Sequence, residues 1–345
     1  MTTSDSIDLP GEIDPDEPPR RRRGFKIALI GLIILAAVVA AAGVIAAKYM
    51  FDLHGAYEKR TVVSVTRGPS DGDRPEDTEG QNFLLLGSDK RSEEEAEASG
   101  ITGQRSDVMM LVHVPADRSG VYFMSFPRDL YIDIPGHGKG RINAALAYGG
   151  VPLAVTTVEN YTGVPIDHVA LIDFDGVQGL VDSLGGVDIE VSQDFEIDGH
   201  QFTEGTQHVN GEEALAFVRA RKNFVDGDFQ RNRNQQALLR GIAKKFLSSD
   251  TLSSPGRITE AVESISPYLT TDEGLTSTVI VELGTSLRDL RTSDLHFLAV
   301  PHGEPYMTSG GASVVATDED GMDVLREALK NDSMGTYFAE NAGKY

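Results

Sequence analysis

Between Ile27 and Ala47 the chain runs through 21 consecutive uncharged, mostly apolar residues, fenced by Lys26 and Lys48. A helix of that length rises about 31 Å, and the hydrocarbon core of a bilayer is about 30 Å thick. Arg20, Arg21, Arg22, Arg23 and Lys26 crowd the near side of the run, whereas only scattered Lys48, Lys59 and Arg60 follow it. The positive-inside rule therefore predicts that residues 1–26 are cytoplasmic and that everything after Lys48 is outside. Ala40, Ala41 and Ala42 would also suit a cleaved signal peptide, but the apolar cores of such peptides are only about 7–15 residues long. A buried core helix would not carry a polyarginine flank. The run reads as an uncleaved single-pass anchor in the cell membrane.

The remainder divides by composition. Residues 1–26, rich in Asp, Glu, Pro and Arg, read as a disordered cytoplasmic tail. Residues 48–80 read as an extracytoplasmic stalk and linker, with Pro, Gly and charge concentrated in TRGPSDGDRPEDTEG (66–80). Residues 81–345, with a first packed strand at Asn82, have the length of one large α/β domain. The chain carries 31 Lys plus Arg against 53 Asp plus Glu, a formal charge of −22, which argues against nucleic acid as a partner. It has no cysteine, so disulfides, Cys-ligated zinc, iron–sulfur clusters and thiol nucleophiles are all excluded.

Apolar β-type runs occur at Phe83–Leu86, Val108–Val114, Val121–Phe126, His168–Ile172, Val187–Val191 and Leu295–Val300. Helical periodicity is expected at Ala144–Val158, Gly176–Ser183, Gly211–Arg219, Gln230–Phe246, Leu275–Leu290 and Met322–Lys330. Strands interleaved with helices predict an α/β sandwich around a largely buried sheet.

Several patterns imitate catalytic motifs. Gly68-Pro-Ser-Asp-Gly72 fits the letters GxSxG, but it lies in the linker with no strand before it and no apolar helix after it. Gly136, Gly138 and Gly140 suggest a phosphate loop without completing either standard signature. The eight histidines show no metal spacing, and His113, inside an apolar run, reads as a core residue with a satisfied ring.

A set of arginines and aspartates is more informative. Asp89 follows a strand in NFLLLGSDKR, and Arg105-Ser-Asp107 precedes the next strand, so both carboxylates could share one rim of a sheet. Arg128 follows a strand in SFPRD, Arg141-Ile-Asn143 opens a helix, Arg219 and Arg221 close one, and Asp228 to Arg231 lead into another. Ends of strands are where α/β sheets place their sites. Arginine grips phosphate in a bidentate fork and keeps its proton, and paired carboxylates suit Mg²⁺ together with a substrate phosphate. Arginines, carboxylates and a dication together would hold and polarise a pyrophosphate. Each residue taken singly could equally be a surface or capping charge.

The ordered series NFLLLGSDKR, RSDVMML, MSFPRDL, GRINAALAYGG, HVALIDFDG, LVDSLGGVDIEV, NGEEALAFVRARK and DFQRNRNQQ, from Asn82 to Gln236, resembles the LytR–CpsA–Psr family. Residues 250–345 carry no matching motif and are expected to complete the same domain. The resemblance implies an α–β–α sandwich with a central mixed sheet and an apolar groove for a polyprenyl chain, here preceded by one transmembrane helix. It implies a phosphotransferase that attaches a glycopolymer from a polyprenyl-pyrophosphate-linked donor to a peptidoglycan acceptor through a phosphodiester. By motif, Asp89 and Asp107 would hold Mg²⁺ (or Mn²⁺), with Asp89, Asp107 and Arg128 catalytic. Arg91, Arg105, Arg219, Arg221 and Arg231 would contact the pyrophosphate, Asp228 would orient arginine, and Arg141, Asn143 and Gln235 would support the site. The family pattern R-x-x-R-Q-Q is broken here, because Arg233 stands one place early, about 100° around a helix; Arg233 is not assigned to the phosphate. The apolar faces of Ala144–Val158 and Gln230–Phe246 could line the groove or be ordinary core. The alternatives to a ligase are a non-catalytic polyprenyl-phosphate-binding or regulatory membrane protein, and a polyprenyl-pyrophosphate hydrolase.

Overall fold

The computed structural model describes residues 48–66, 73–88, 106–221, 223–224, 227–248 and 255–345. The tail 1–26, the apolar run Ile27–Ala47 and the site candidates Asp89, Arg91 and Arg105 lie outside the described residues. The chain divides into two units, 1–51 and 52–345. Of the first, the described residues 48–51 are helical. Among the described residues no helix is long and apolar enough to cross a membrane.

The second unit opens with a short helix, α1 (52–57). Strands β1 (Thr61–Val63), β2 (Gln81–Ser88), β3 (Ser106–Val114), β4 (Val121–Ser125), β5 (Tyr131–Ile134) and β6 (Gly138–Arg141) follow. Helix α2 (Ala144–Thr162), β7 (His168–Asp173) and α3 (Phe174–Ser183) come next. Then β8 (Val187–Val191), β9 (Phe195–Ile197), β10 (His200–Phe202) and β11 (Gly205–Val209) lead to α4 (Gly211–Arg219), α5 (Gly227–Phe246) and α6 (Pro255–Ile265). The chain closes through β12 (Leu269–Asp272), α7 (Ser277–Ser286), β13 (Leu295–Ala299), β14 (His302–Met307), β15 (Ser313–Thr317), α8 (Glu319–Lys330) and α9 (Met334–Asn341).

Seven strands form the main sheet in the order β1-β12-β7-β2-β3-β4-β13. β2 runs parallel to β7 and antiparallel to β3, while β4 is antiparallel to β3 and parallel to β13. The sheet is therefore mixed, and the carboxyl ends of β2, β4, β7 and β13 meet the amino end of β3 along one rim. Successive side chains of a strand point to opposite faces, and the central strands are buried at nearly every position, so both faces are covered. Leu84, Leu86, Met109, Leu111, Tyr122 and Met124 enter one core with α2 and α8. Their neighbours Phe83, Met110, Val112 and Val121 enter another, with Leu239 of α5 and Val279, Ile280 and Leu283 of α7 packed against it. A third apolar cluster ties α3, α4, β8, β11 and α6 to α5 through Leu238. The result is the α–β–α sandwich expected.

Two expectations change. Within 48–80, expected to be stalk and linker, α1 buries Leu53, Ala56 and Tyr57, and the Tyr57 hydroxyl donates to the Leu275 carbonyl at 2.7 Å. β1 extends the sheet by pairing with β12. These elements are short, and their partners lie some 200 residues away (218 for Tyr57 and Leu275), so no local pattern announces them. The predicted continuous helix Ala144–Val158 is broken at Gly149 and Gly150, the latter at φ 64°, a turn glycine takes without strain. Residues 255–345 complete the same sheet through β12 and β13. His113 is fully buried, with Nδ1 2.8 Å from Asn82 Oδ1 and Nε2 3.0 Å from Asp332 Oδ1, as its core reading required.

Candidate functional site

Of the phosphate-type candidates, Asp107 and Arg128 stand at the rim, one in β3 and the other just after β4. Ser88 at the end of β2 pairs with Ser106, while Gly87 pairs with Val108, so Asp107 is the extra residue of a β-bulge on β3. Asp89, which follows Ser88 in sequence, lies outside the described residues. Ser88 also pairs with Asp173 at the end of β7. From β4, the chain leaves the rim through Phe126, whose N–H donates to the Met109 carbonyl at 2.9 Å, and turns into Pro127 and Arg128. The Arg128 carbonyl accepts from the Asn143 N–H at 3.4 Å, which joins the rim to the start of α2.

Arg141 and Asn143 are braces. Arg141 ends β6 instead of opening a helix; its Nε donates to the Ser313 carbonyl at 3.0 Å and lies 3.5 Å from Asp129 Oδ1. The Val315 N–H donates to the Asp129 carbonyl at 2.9 Å. These contacts join the β5–β6 and β14–β15 hairpins beside Arg128. Asn143 is buried at the start of α2.

The other arginines surround α5. Arg221 is exposed just beyond α4, and the start of α5 runs so close to it that a Cβ on Gly227 would sit 2.5 Å from the Arg221 carbonyl oxygen. One turn further, Arg231 is 6% exposed, and Gln235, a turn beyond that, is equally buried. Asp228 lies in the first turn of α5. Arg219 is exposed and stacks its guanidinium over Phe174 at 4.5 Å. Arg233 is exposed and donates to Gln230 Oε1 at 2.9 and 2.6 Å, in keeping with its exclusion from the phosphate set. Gln236, which the motifs did not single out, donates from Nε2 to Ser125 Oγ at 2.7 Å and fixes α5 to the end of β4.

An apolar cavity of about 240 Å³ lies between the sheet and α3 and α5. Gly87, Val108, Ala170 and Ile172 form its sheet wall; Phe174, Val177 and Leu180 come from α3, and Leu238, Leu239 and Ile242 from α5. Among the described residues lining it, Gln235 carries the one polar side chain. The positions 231, 235, 238, 239 and 242 form one stripe of α5 at helical spacing, so a buried guanidinium heads a row of apolar side chains. The two helices whose faces the sequence left open thus part company, because α2 packs into ordinary core while α5 lines the cavity.

A dication fits the donor chemistry of the rim. Asp107 stands next to the Ser88–Ser106 pair, and Ser88 Oγ is buried without a hydrogen-bond partner among the described residues. Among the described residues no group of three or more His, Cys, Asp or Glu side chains gathers to hold a metal.

A mixed sheet between two helical layers, with phosphate-type residues on one rim above an apolar cavity, is the architecture of a family of cell-envelope proteins. The LytR_cpsA_psr family model matches residues 45–331, and the chain belongs to that family. Curated relatives include a protein of Bacillus anthracis named polyisoprenyl-teichoic acid–peptidoglycan teichoic acid transferase TagU, 36% identical over 59% of this chain and 65% of its own. A TagU of Enterococcus faecalis is 35% identical over 70% of this chain and 78% of its own. The match to the first of these spans just under two thirds of that relative's length. Among solved structures, TagV of B. subtilis superposes with a TM-score of 0.63 at 28% identity, covering 74% of this chain and 97% of that one. A structure of TagT bound to LI-WTA gives 0.60 at 27% identity, covering 79% and 99%.

Proposed function

We propose that this protein is a membrane-anchored phosphotransferase that moves a glycopolymer from a polyprenyl-pyrophosphate carrier onto peptidoglycan through a phosphodiester bond. The observation that carries this reading is the α5 stripe, where buried Arg231 precedes by one helical turn Gln235 and the apolar side chains that line the cavity, a sequence of charge and apolar surface that suits a pyrophosphate on an isoprenoid tail. The names borne by the TagU relatives and the TagT complex support the same substrate class.

In this reading the isoprenoid lies along Leu238, Leu239 and Ile242, and the pyrophosphate meets Arg128, Arg221 and Arg231, with Arg91, Arg105 and Arg219 beside it. The acceptor hydroxyl oxygen attacks the phosphorus that bears the glycan. The bond from that phosphorus to the bridging oxygen breaks, polyprenyl phosphate leaves, and the hydroxyl proton passes to a rim carboxylate. The arginines neutralise charge on the transferring group and on the leaving phosphate, and they are strongest in a cavity that excludes water. Asp89 and Asp107 would hold Mg²⁺, which when bound supplies further positive charge to the pyrophosphate oxygens. Ile27–Ala47 serves as the anchor, holding enzyme and lipid-linked donor in the same membrane plane, with the catalytic domain outside.

The test uses the full chain in detergent with Mg²⁺, a polyprenyl-pyrophosphoryl glycan and peptidoglycan fragments, read by mass spectrometry. The native protein is expected to give a phosphodiester-linked product and free polyprenyl phosphate. Arg128→Ala, Arg231→Met and Asp107→Asn should each lower the rate by about 10²–10³-fold, the usual cost of removing one stabilising charge. Chelation of Mg²⁺ should reproduce the Asp107→Asn loss. Lipid phosphate released without linked glycan would establish a hydrolase instead, and intact lipid held tightly across several donors would establish a binding protein.

A further inference from the structure

A second pocket opens at Arg128, apart from the apolar cavity. It measures about 200 Å³ and is bounded by Arg128 and Asp129, by Phe229 and Asn232 of α5, and by Pro305 and Val314 of the β14–β15 hairpin. Phe229 packs against the core on the α2 side of the sheet, whereas Leu239, on the same helix, packs against the core on the opposite face. On a helical wheel Phe229 lies about 160° from Arg231 and about 120° from Gln235, and Asn232 about 100° and about 60°. The first turns of α5 therefore border two openings on neighbouring flanks, one apolar and one polar.

Two features show what the polar opening takes. Asn232 is 9% exposed and lines the pocket. Its amide carries two donors and an acceptor, which suits a neutral ligand with several hydroxyl or acetamido groups. Beside the pocket, the rings of Tyr131 and Tyr306 meet edge-on at 6.4 Å and 84°. Tyr306 is 43% exposed and pairs directly with Val314, so it shares a face of the hairpin with a residue lining the pocket. An exposed aromatic π-face is electron-rich and suits the C–H face of a pyranose ring, whose hydroxyls stay free at the edge. The shelf is held firmly by the Arg141 to Ser313 and Val315 to Asp129 hydrogen bonds.

We propose that this pocket and its Tyr131–Tyr306 shelf form the subsite for sugar residues of the acceptor glycan, a reading that rests on the transferase function proposed above. In-line displacement at phosphorus puts nucleophile and leaving group on opposite sides of the transferring group. With polyprenyl phosphate departing along the apolar cavity, the acceptor hydroxyl enters from the side of Asn232. The β14–β15 hairpin lies beyond the motif-bearing segment, so it is a place where acceptor preference can be set without altering the phosphate grip.

The test titrates the full chain in detergent with a β-1,4-linked N-acetylhexosamine tetrasaccharide and, separately, with geranylgeranyl diphosphate. Tyr306→Ala, at an exposed position, and Asn232→Ala should each weaken tetrasaccharide binding about fivefold or more. Tyr306→Phe should restore it, and affinity for the diphosphate should move less than twofold in all three variants. Unchanged tetrasaccharide affinity in both alanine variants, beside intact diphosphate binding, overturns the subsite and leaves the transferase reading standing. Weaker binding of the lipid-linked glycan donor in place of the tetrasaccharide assigns the pocket to the donor and also overturns the proposal. A native protein that binds neither probe removes the transferase reading itself.

Discussion

Replacing Ala170 by isoleucine should make the protein more stable and weaken its hold on an isoprenoid chain, both through the same three added carbons. Ala170 sits in β7 between Leu85 of β2 and Thr271 of β12, and it lines the cavity of about 240 Å³. A β-branched side chain suits that strand position and grows into space already present. Three added carbons at about 0.8 kcal/mol each set a ceiling of about 2.4 kcal/mol, and imperfect fit reduces the gain to about 1 kcal/mol. For a unit of this size that raises Tm by about 2–4 °C. A lipid denied the same space loses up to about 2 kcal/mol, or about 30-fold in affinity. Thermal unfolding without ligand, and titration with geranylgeranyl diphosphate beside inorganic pyrophosphate, measure the two halves. Affinity for inorganic pyrophosphate should not move. A lower Tm with unchanged lipid affinity would mean that the cavity is ordinary core, and an equal loss for both ligands would place the effect at the charged head; either result refutes the reasoning.

Two further outcomes follow from local geometry. Gly227→Ala puts a Cβ 2.5 Å from the Arg221 carbonyl oxygen, a backbone atom that cannot swing aside, so the 221–227 connection must shift and carry Arg221 with it. Transfer activity should fall at least about tenfold, given the sensitivity of such sites to misplacement on the order of 1 Å, while far-ultraviolet circular dichroism stays native. Burial pushes the His113 ring below its ordinary value of 6.5, against the opposing pull of Asp332. The unfolded chain then binds the proton more readily than the folded one, so this contribution to stability is complete above pH 6.5 and is lost as pH falls toward the lowered folded value. Its slope there is at most about 1.4 kcal/mol per pH unit. His113→Gln should flatten the acid limb of a stability–pH curve below pH 6.5, and an unchanged slope would contradict the assignment.

Much of the site was legible because its chemistry is local. Asp107 could be assigned to the rim from the strand boundary alone, and the Ser88–Ser106 pairing puts its backbone there; Asp89, assigned beside it, lies outside the described residues. Arg231 and Gln235 lie on one helical stripe by spacing, and the structure buries both. Phe174, the ring under Arg219, stood inside a matching segment, HVALIDFDG, yet nothing in that segment signalled an arginine 45 positions later. Asn232 and the β14–β15 hairpin had no signal, since one is a single amide among five in the stretch QRNRNQQ and the other joins no motif.

The sequence by itself determined the alternation of strands and helices, the two-sided burial of the sheet and the phosphate-type character of the candidate arginines and aspartates. Those properties follow from periods of 2 and 3.6 and from side-chain chemistry, which are set within a few residues. Tertiary structure alone decided that α5 lines a cavity while α2, with a comparable apolar face, packs solidly into core. It also decided that β1 and α1 join the domain, and that residues 302–317 stand beside Arg128. The physical reason is the same in each case. An apolar face states only that it must be buried, and which surface buries it, and how completely, depends on partners far along the chain.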